Sequence, residues 1–514
     1  MKATNVILIL LVVGYFSSCT KKKADCPLCP VVRAVKPDRG FKGDTVSVVG
    51  ANFSSNFLEN SVKFNGVEVQ ASDMISGSNI QLKVRVPENC GTGPVTVDIS
   101  GELRSEPGPV FNYEPAEIVN FLPLEGFKGD TITITGKQFS PAKNIVKFNG
   151  VKAIVVSEND TQIKAVVPVN CGTGQLTVTL ANNSVVKSST EFQYNYTYKV
   201  STYAGVPKTE GELDGPVATA TFKTLSSICA DLKNRCLYVS DLNCIRKIFN
   251  EQVTTYAGEQ LIAGYVNGIG KAARLANPGE MTVNSSGELF IADQGNHCIR
   301  RVQPTGSTAT YCGKGQQAGD LDGNNINALL NGPSSVKLYN DSIFYISDFL
   351  NGKLKYCNKQ KEVRTVPLKA MSTALNITIK DNHTLIGSDP LHHQLVKMDL
   401  YTYEISTFAG SGQNGADDGD VLSASFSGPS AVAIRTVGKK QEMYVADKGN
   451  HSIRLIDARN KVRTVIGGTM GYADGYNRDA LFNGPVSLTF DAFNNSILYV
   501  VDAGNYIIRK VVID

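Results

Sequence analysis

The 514-residue sequence predicts an all-β chain: two tandem small β-sandwiches, then a six-bladed β-propeller closed by a strand from its own N-terminal end. Three observations predict it. One motif set occurs twice in the first 200 residues, and a different one recurs six times over the remainder. The composition, with 47 glycines and 42% hydrophobic residues, leans towards turns and strands. A chain this long exceeds a single hydrophobic core, so two to four domains are expected.

The N-terminus, "MKATNVILILLVVGYFSSCTKKKADC", has a positive Lys2, an apolar run from Val6 to Val13, and small residues Ser17 and Ser18 before Cys19. The run is too short to span a bilayer and reads as an export signal over residues 1–18. Small residues directly before a cysteine resemble the lipobox of bacterial lipoproteins, which implies lipidation of Cys19. Acyl chains there would hold the protein at a membrane surface. Residues 19–32 form a linker in which Cys26 and Cys29 make a C-x-x-C. No second metal-binding pair accompanies them, so a linker disulfide or idle thiols is the simpler reading. Cys229 and Cys236 flank "ADLKNR" and are candidates to pair across a hairpin. The net charge of +4, with Lys21, Lys22 and Lys23 in one tail, gives no nucleic-acid footprint.

The sandwiches come next, over residues 33–115 and 116–197. "GFKGDTVSVVGANFS" from Gly40 returns as "GFKGDTITITGKQFS" from Gly126, and "VKFNGV" at Val62 returns at Val146. "NCGTG" at Asn89 returns at Asn170. Runs such as "TVSVVG" and "LTVTL" alternate as half-buried strands do. The G-D-T, F-N-G and closing F-x-Y residues resemble the IPT/TIG immunoglobulin-like family. That resemblance implies an Ig-like fold and a spacer role.

Residues 198–514 carry the second repeat. "YVSDLNCIRKI", "FIADQGNHCIRRV", "FYISDFLNGKLKYC", "LIGSDPLHHQLVKM", "YVADKGNHSIRLI" and "YVVDAGNYIIRKV" place aspartates at 241, 293, 348, 389, 447 and 502, spaced 41 to 58 residues apart. Four short strands and their loops fill such a unit, which makes each one a propeller blade. Six fourth-strand segments can be counted, the first at Ser201, ahead of the other strands of blade one. That strand should complete the last blade, leaving no open sheet edge. The "YVAD-x-GN-x-x-IR" phrase resembles the NHL-repeat family, which implies a six-bladed propeller that binds proteins, nucleic acid or small ligands.

"IADQGNHCIRR" holds an acid, a base and a thiol in eleven residues, yet three blades repeat its pattern. Asp293/Arg300, Asp447/Arg454 and Asp502/Arg509 are each seven residues apart. Those positions lie roughly opposite across a hairpin, so structural cross-strand pairs are expected. Gly295 is expected to supply φ > 0 at the turn. Four residues after each aspartate stand His297, Gly352, His393, His451 and Tyr506 at one hairpin tip. The loops leading into each blade, with Tyr265 and Tyr472 among their residues, should emerge on the same face. His297, His393, His451, Tyr506, Tyr265, Tyr472 and His392 are therefore candidate ligand-binding residues. "DLDGNNINALLN" fails as an EF-hand, because its Gly comes early and no Glu stands twelfth, so the Asp-Gly loops read as turns. Blade four departs from the pattern, with Pro390, His392 and His393 together and Val396 in place of Arg.

No H-E-x-x-H or G-x-S-x-G motif occurs, and no catalytic residue, metal or cofactor is assigned. The lipobox, paired Ig-like modules and propeller together resemble surface lipoproteins beside TonB-dependent glycan importers. This implies a non-catalytic glycan-binding protein lipid-anchored in the outer membrane, at the cell surface, with the periplasmic face the alternative because "TKKK" follows Cys19 where surface-exported lipoproteins often carry acidic residues. The absence of Trp, the best stacking platform, counts against sugar binding, although Tyr and His can substitute. A propeller polysaccharide lyase or hydrolase and a protein–protein scaffold are the alternatives.

Overall fold

The computed structural model describes residues 26–514 except 89, 101–102, 141, 182, 370–375 and 439. The export signal and Cys19 lie outside the described residues. Cys26 and Cys29 form a disulfide, and the first strand begins at Val31.

Each sandwich is two facing sheets. In the first, Val31–Lys36, Thr45–Ala51, Gln81–Arg85 and Met74–Ser78 form one sheet, and Val110–Tyr113, Gly93–Ile99 and Asn60–Phe64 are neighbours in the other. The alternation in "TVSVVGA" buries Val46, Val48 and Gly50, and Phe64 meets Phe111 edge-on at 5.0 Å. The repeated motif residues are internal ties. Asp44 accepts the Phe41 N–H and Asp130 that of Phe127, closing both G-D-T turns. Asn65 and Asn149 of F-N-G each donate to the carbonyl of the N-C-G-T-G cysteine, Cys90 and Cys171. A Cβ on Gly93 would sit 2.2 Å from the Asn65 Oδ1, so the contact needs glycine.

From Tyr198 onward the described residues form six antiparallel sheets of four strands, five of which gain a two-residue edge strand. The inner strands, Leu225–Asp231, Pro278–Val283, Pro333–Asn340, Ile377–Asp381, Pro429–Val437 and Pro485–Phe490, touch one another in a closed cycle. The result is a propeller-like ring. Its last sheet is completed by Tyr198–Ala204, paired with Ile507–Ile513. Separate apolar clusters fill the seams: Ile228, Val239, Tyr499 and Val501 between the last and first sheets, and Phe290, Ile299, Phe344 and Ile346 between the second and third. Each such side chain contributes about 1.5–3 kcal/mol by leaving water.

The second sandwich and the ring share one core. Tyr196 donates to Glu442 at 2.8 Å, and the Arg435 Nε donates to the same carboxylate at 2.9 Å. The Arg435 guanidinium lies 4.5 Å from the Tyr196 ring and 5.3 Å from that of Tyr444. Burial pushes the hydroxyls of Tyr196 and Tyr198 well above the ordinary tyrosine range. Lys440–Glu191 and Lys128–Asp514 pairs flank this contact. A buried charge pair ringed by aromatics fixes one orientation of the two bodies.

Two cysteine expectations meet different fates. Cys26 and Cys29 are joined. Cys229 and Cys236 are free, because the register sets Cys229 opposite Tyr238 and Cys236 opposite Asp231.

Candidate functional site

The hairpin between the second and third strands of each blade sits beside the loop leading into that blade. Asn296 donates to the Gly264 carbonyl at 2.8 Å, and Asn351, Asn450 and Asn505 reach Gly319, Gly415 and Gly471 in the same way. Both loop sets therefore share one face of the ring.

Beneath the tips of blades one, two, five and six lies a buried clamp. Arg300 and Asp293 are both fully buried, with Nη1 at 3.0 Å from Oδ2. Arg300 also donates to the carbonyls of Arg274 and Val266 and to the Asn267 side chain, all at 3.0 Å. Asp293 accepts from the Ala276 N–H and from Asn296. Arg454 with Asp447 and Arg509 with Asp502 repeat the arrangement and add carboxylates of the Asp-Gly loops, Asp418 and Asp474. The Asp-Gly acids thus serve as anchors for arginine. Burial pushes the carboxyl of Asp293 up to about 6, while the neighbouring Arg300 charge pulls it down, and Asp447 and Asp502 are raised for the same reason.

The clamp refines one expectation and corrects another. Asp293 stands opposite Cys298, and Arg300 opposite Ile291, so the pair is diagonal on one sheet face. Arg is long enough to span that diagonal. The left-handed residue of the turn is His297, at φ 54°, and Gly295 is absent from the positive-φ residues. Gly295 answers a different need: a Cβ there would lie 2.9 Å from the Ala276 carbonyl oxygen.

The tip residues share that left-handed backbone: His297, Gly352, His393, His451 and Tyr506 have φ between 51° and 62°. Each histidine uses Nδ1 to accept a backbone N–H from the next blade, Gly332 to His297 at 3.0 Å, Gly428 to His393 at 3.1 Å and Gly484 to His451 at 3.0 Å. In the neutral ring the remaining nitrogen, Nε2, then carries the proton and is a donor. The three imidazoles are half-buried. Tyr265 and Tyr472 stack under Arg300 and Arg509, at 5.0 and 5.2 Å, and their hydroxyls bond Thr310 and Thr202. The structure places both within the clamps.

Other members escaped the sequence reading. Arg246 clamps Asp241 and Asp214 in blade one although its spacing is five residues. Gln260 reaches Asp241 in place of the asparagine that bonds the aspartate in other blades, while Asn243 of this shorter tip donates to the Gln260 carbonyl. Lys355, seven residues after Asp348, pairs instead with Asp320 and Asp322, because its shorter reach favours the lead-in loop. The seven-residue spacing was visible in that blade, but a lysine stands where its neighbours carry arginine. Among the described residues of blade four, Val396 is buried at the arginine position and no two-residue edge strand joins the sheet. Its Asp389 is bonded by Nδ1 of His392 at 2.8 Å, whose side chain is 60% exposed. Among the described residues no group of three or more His, Cys, Asp or Glu side chains could hold a metal ion.

Residues 30–113 and 116–198 each match the IPT/TIG domain. NHL repeat-containing protein 2 of Gallus gallus is 25% identical over 280 residues, covering 46% of this chain and 38% of that protein. Fibrocystin-L of Homo sapiens is 25% identical over 319 residues, covering 55% of this chain and 7% of that protein. The chain therefore spans well under half the length of these curated relatives. Among solved structures, a protein of unknown function from Bacteroides thetaiotaomicron superposes with a TM-score of 0.53 at 20% identity, covering 78% of this chain and 98% of that one. An auxiliary nutrient binding protein from Bacteroides ovatus does so with a TM-score of 0.51 at 18% identity, covering 78% and 97%. The chain thus carries two IPT/TIG domains beside a propeller-like ring, and its likeness to these solved structures is one of all-β fold.

Proposed function

We propose that this protein is a non-catalytic lipoprotein that captures glycan at the cell surface for a TonB-dependent importer. In this reading Cys19 carries the lipid in the outer membrane, the IPT/TIG pair is the spacer, and an NHL-type six-bladed propeller is the working domain. The observation that carries it is the state of the tip face. The aspartates and arginines are occupied in holding blades together, and each histidine has one nitrogen committed to the next blade. What remains at the half-buried tips is the second nitrogen of each imidazole, an N–H donor in the neutral ring, and the Tyr506 ring, which suits hydrogen bonding and ring contact with a sugar more than proton transfer. The solved neighbour from Bacteroides ovatus, an auxiliary nutrient binding protein, supports the same class of role. The rigid seat of the second sandwich on the ring suits a presenting spacer.

The test is a carbohydrate array probed with the full chain in detergent. Saturable binding without product formation is the expected result. Turnover of a bound polysaccharide, abolished by a tip His→Ala change, would replace the proposal with a lyase or hydrolase. Cys19→Ser should abolish acylation and membrane retention.

A further inference from the structure

The opposite face of the ring carries a groove that no tip residue reaches. At the seam between the last and first blades a cavity of about 140 Å³ is lined by Tyr203, Asn250, Phe249, Arg235, Asp491 and Phe493. Beside it, a second cavity of about 540 Å³ shares Arg235 and Phe493 and runs past Leu232 and Lys233 to Asn284 and Ser285 of blade two. The larger one falls within the roughly 300–1,000 Å³ usual for ligand clefts. Arg235 and Phe493 stand where the two meet, with the guanidinium 4.8 Å from the ring.

The walls combine two properties. Phe493 is 56% exposed and Phe249 43% exposed, large apolar rings left in water beside polar neighbours. The charge is one-sided in its availability. Asp231 accepts from the backbone and side chain of Asn234, and Asp491 accepts from the N–H groups of Phe493 and Asn494. Asp231 is buried with both oxygens bonded in its own turn, and Asp491 bonds its turn through Oδ1 while its Oδ2 lies 3.5 Å from the Tyr499 hydroxyl. No ion pair among the described residues involves Arg235 or Lys233, two exposed residues of the turn that follows Asp231. An exposed guanidinium over an aromatic ring, next to unpaired ammonium, is suited to a carboxylate, which Arg binds bidentately.

We propose that this groove binds an oligosaccharide bearing acidic residues, with sugar rings against Phe493 and Phe249 and a uronate carboxylate on Arg235. The proposal rests on the glycan-binding reading above and adds to the tip face a second site, on the opposite face, with its own ligand class. The full chain is titrated with tetragalacturonate and hyaluronan tetrasaccharide, and with maltotetraose and cellotetraose as neutral probes. At least one acidic probe should bind, at least tenfold tighter than either neutral one. Arg235→Gln and Phe493→Ala, both at exposed positions and checked for an unchanged melting curve, should each weaken it tenfold or more. Neutral probes bound as well as acidic ones, or affinity unchanged in both variants, overturns the groove while leaving glycan binding in place. Binding of none of the four probes, and of no glycan on the array, overturns both readings.

Discussion

Arg300→Met tests the clamp directly. The substitution keeps an unbranched side chain of moderate length but removes four donated hydrogen bonds, to Asp293, Asn267 and two backbone carbonyls. Asp293 stays buried at 0% exposure, holding only the Ala276 N–H and Asn296. Breaking a buried ion pair from one side costs about 3–5 kcal/mol. Unfolding entropy near 2.1 cal/mol/K per residue, taken over the 399 residues from Ala116 that share one core, gives about 0.8 kcal/mol per degree, so a loss of about 4 kcal/mol lowers Tm by about 5 °C. Circular dichroism is the assay, since the chain has no Trp to report. The double variant Asp293→Asn/Arg300→Met removes the orphaned charge and should recover at least about 1 kcal/mol relative to the sum of the single changes. A shift under about 1 °C for Arg300→Met, or strict additivity in the double variant, would refute the clamp as the element that ties the lead-in loop to its blade.

Asp348 tests the protonation logic without a direct ionic partner. Burial raises its carboxyl to about 6 from 3.8, so folding takes up a proton between those values. Relative to Asp348→Asn, the wild type should gain about 2.4 kcal/mol as pH falls from 7 to 4; an equal pH dependence for both proteins, in urea titrations, would contradict this. At the tip, His451→Gly loses the bond from Gly484 but relieves a left-handed backbone, so its stability should stay within about 0.5 kcal/mol of wild type. His451→Val should lose about 2 kcal/mol or more on both counts, and equal melting of the two variants would sink the argument. Arg435→Met should uncouple the second sandwich from the ring, which differential scanning calorimetry would register as separate transitions where the wild type has a shared one.

How much was legible in advance follows from the kind of information each feature needs. Alternation and duplicated motifs are local, so strands, sandwiches and blade repeats could be read from residue order. The ties behind the motifs were hidden, because Asn65 meets Cys90 and His297 meets Gly332 only after distant segments are brought together. The Asp–Arg spacing announced a cross-strand pair, set roughly opposite across the hairpin, and the structure contains it. Only the register, with Arg300 opposite Ile291, reveals the diagonal and the loop carbonyls at its end. Gly295 was assigned the wrong task for a related reason: sequence marks a turn, but whether glycine supplies a dihedral or a space depends on what Ala276 does beside it.

By itself, the sequence determined an all-β chain of repeated modules, the class of residue at every tip, and the acids and arginines that recur beneath them. Tertiary structure alone decided which of those groups remain available. It committed one nitrogen of each tip histidine to the next blade, turned Tyr265 and Tyr472 under arginines, and left Arg235 and Phe493 in water on the far face. Availability is a property of partners, and partners in a closed ring come from segments tens to hundreds of residues apart.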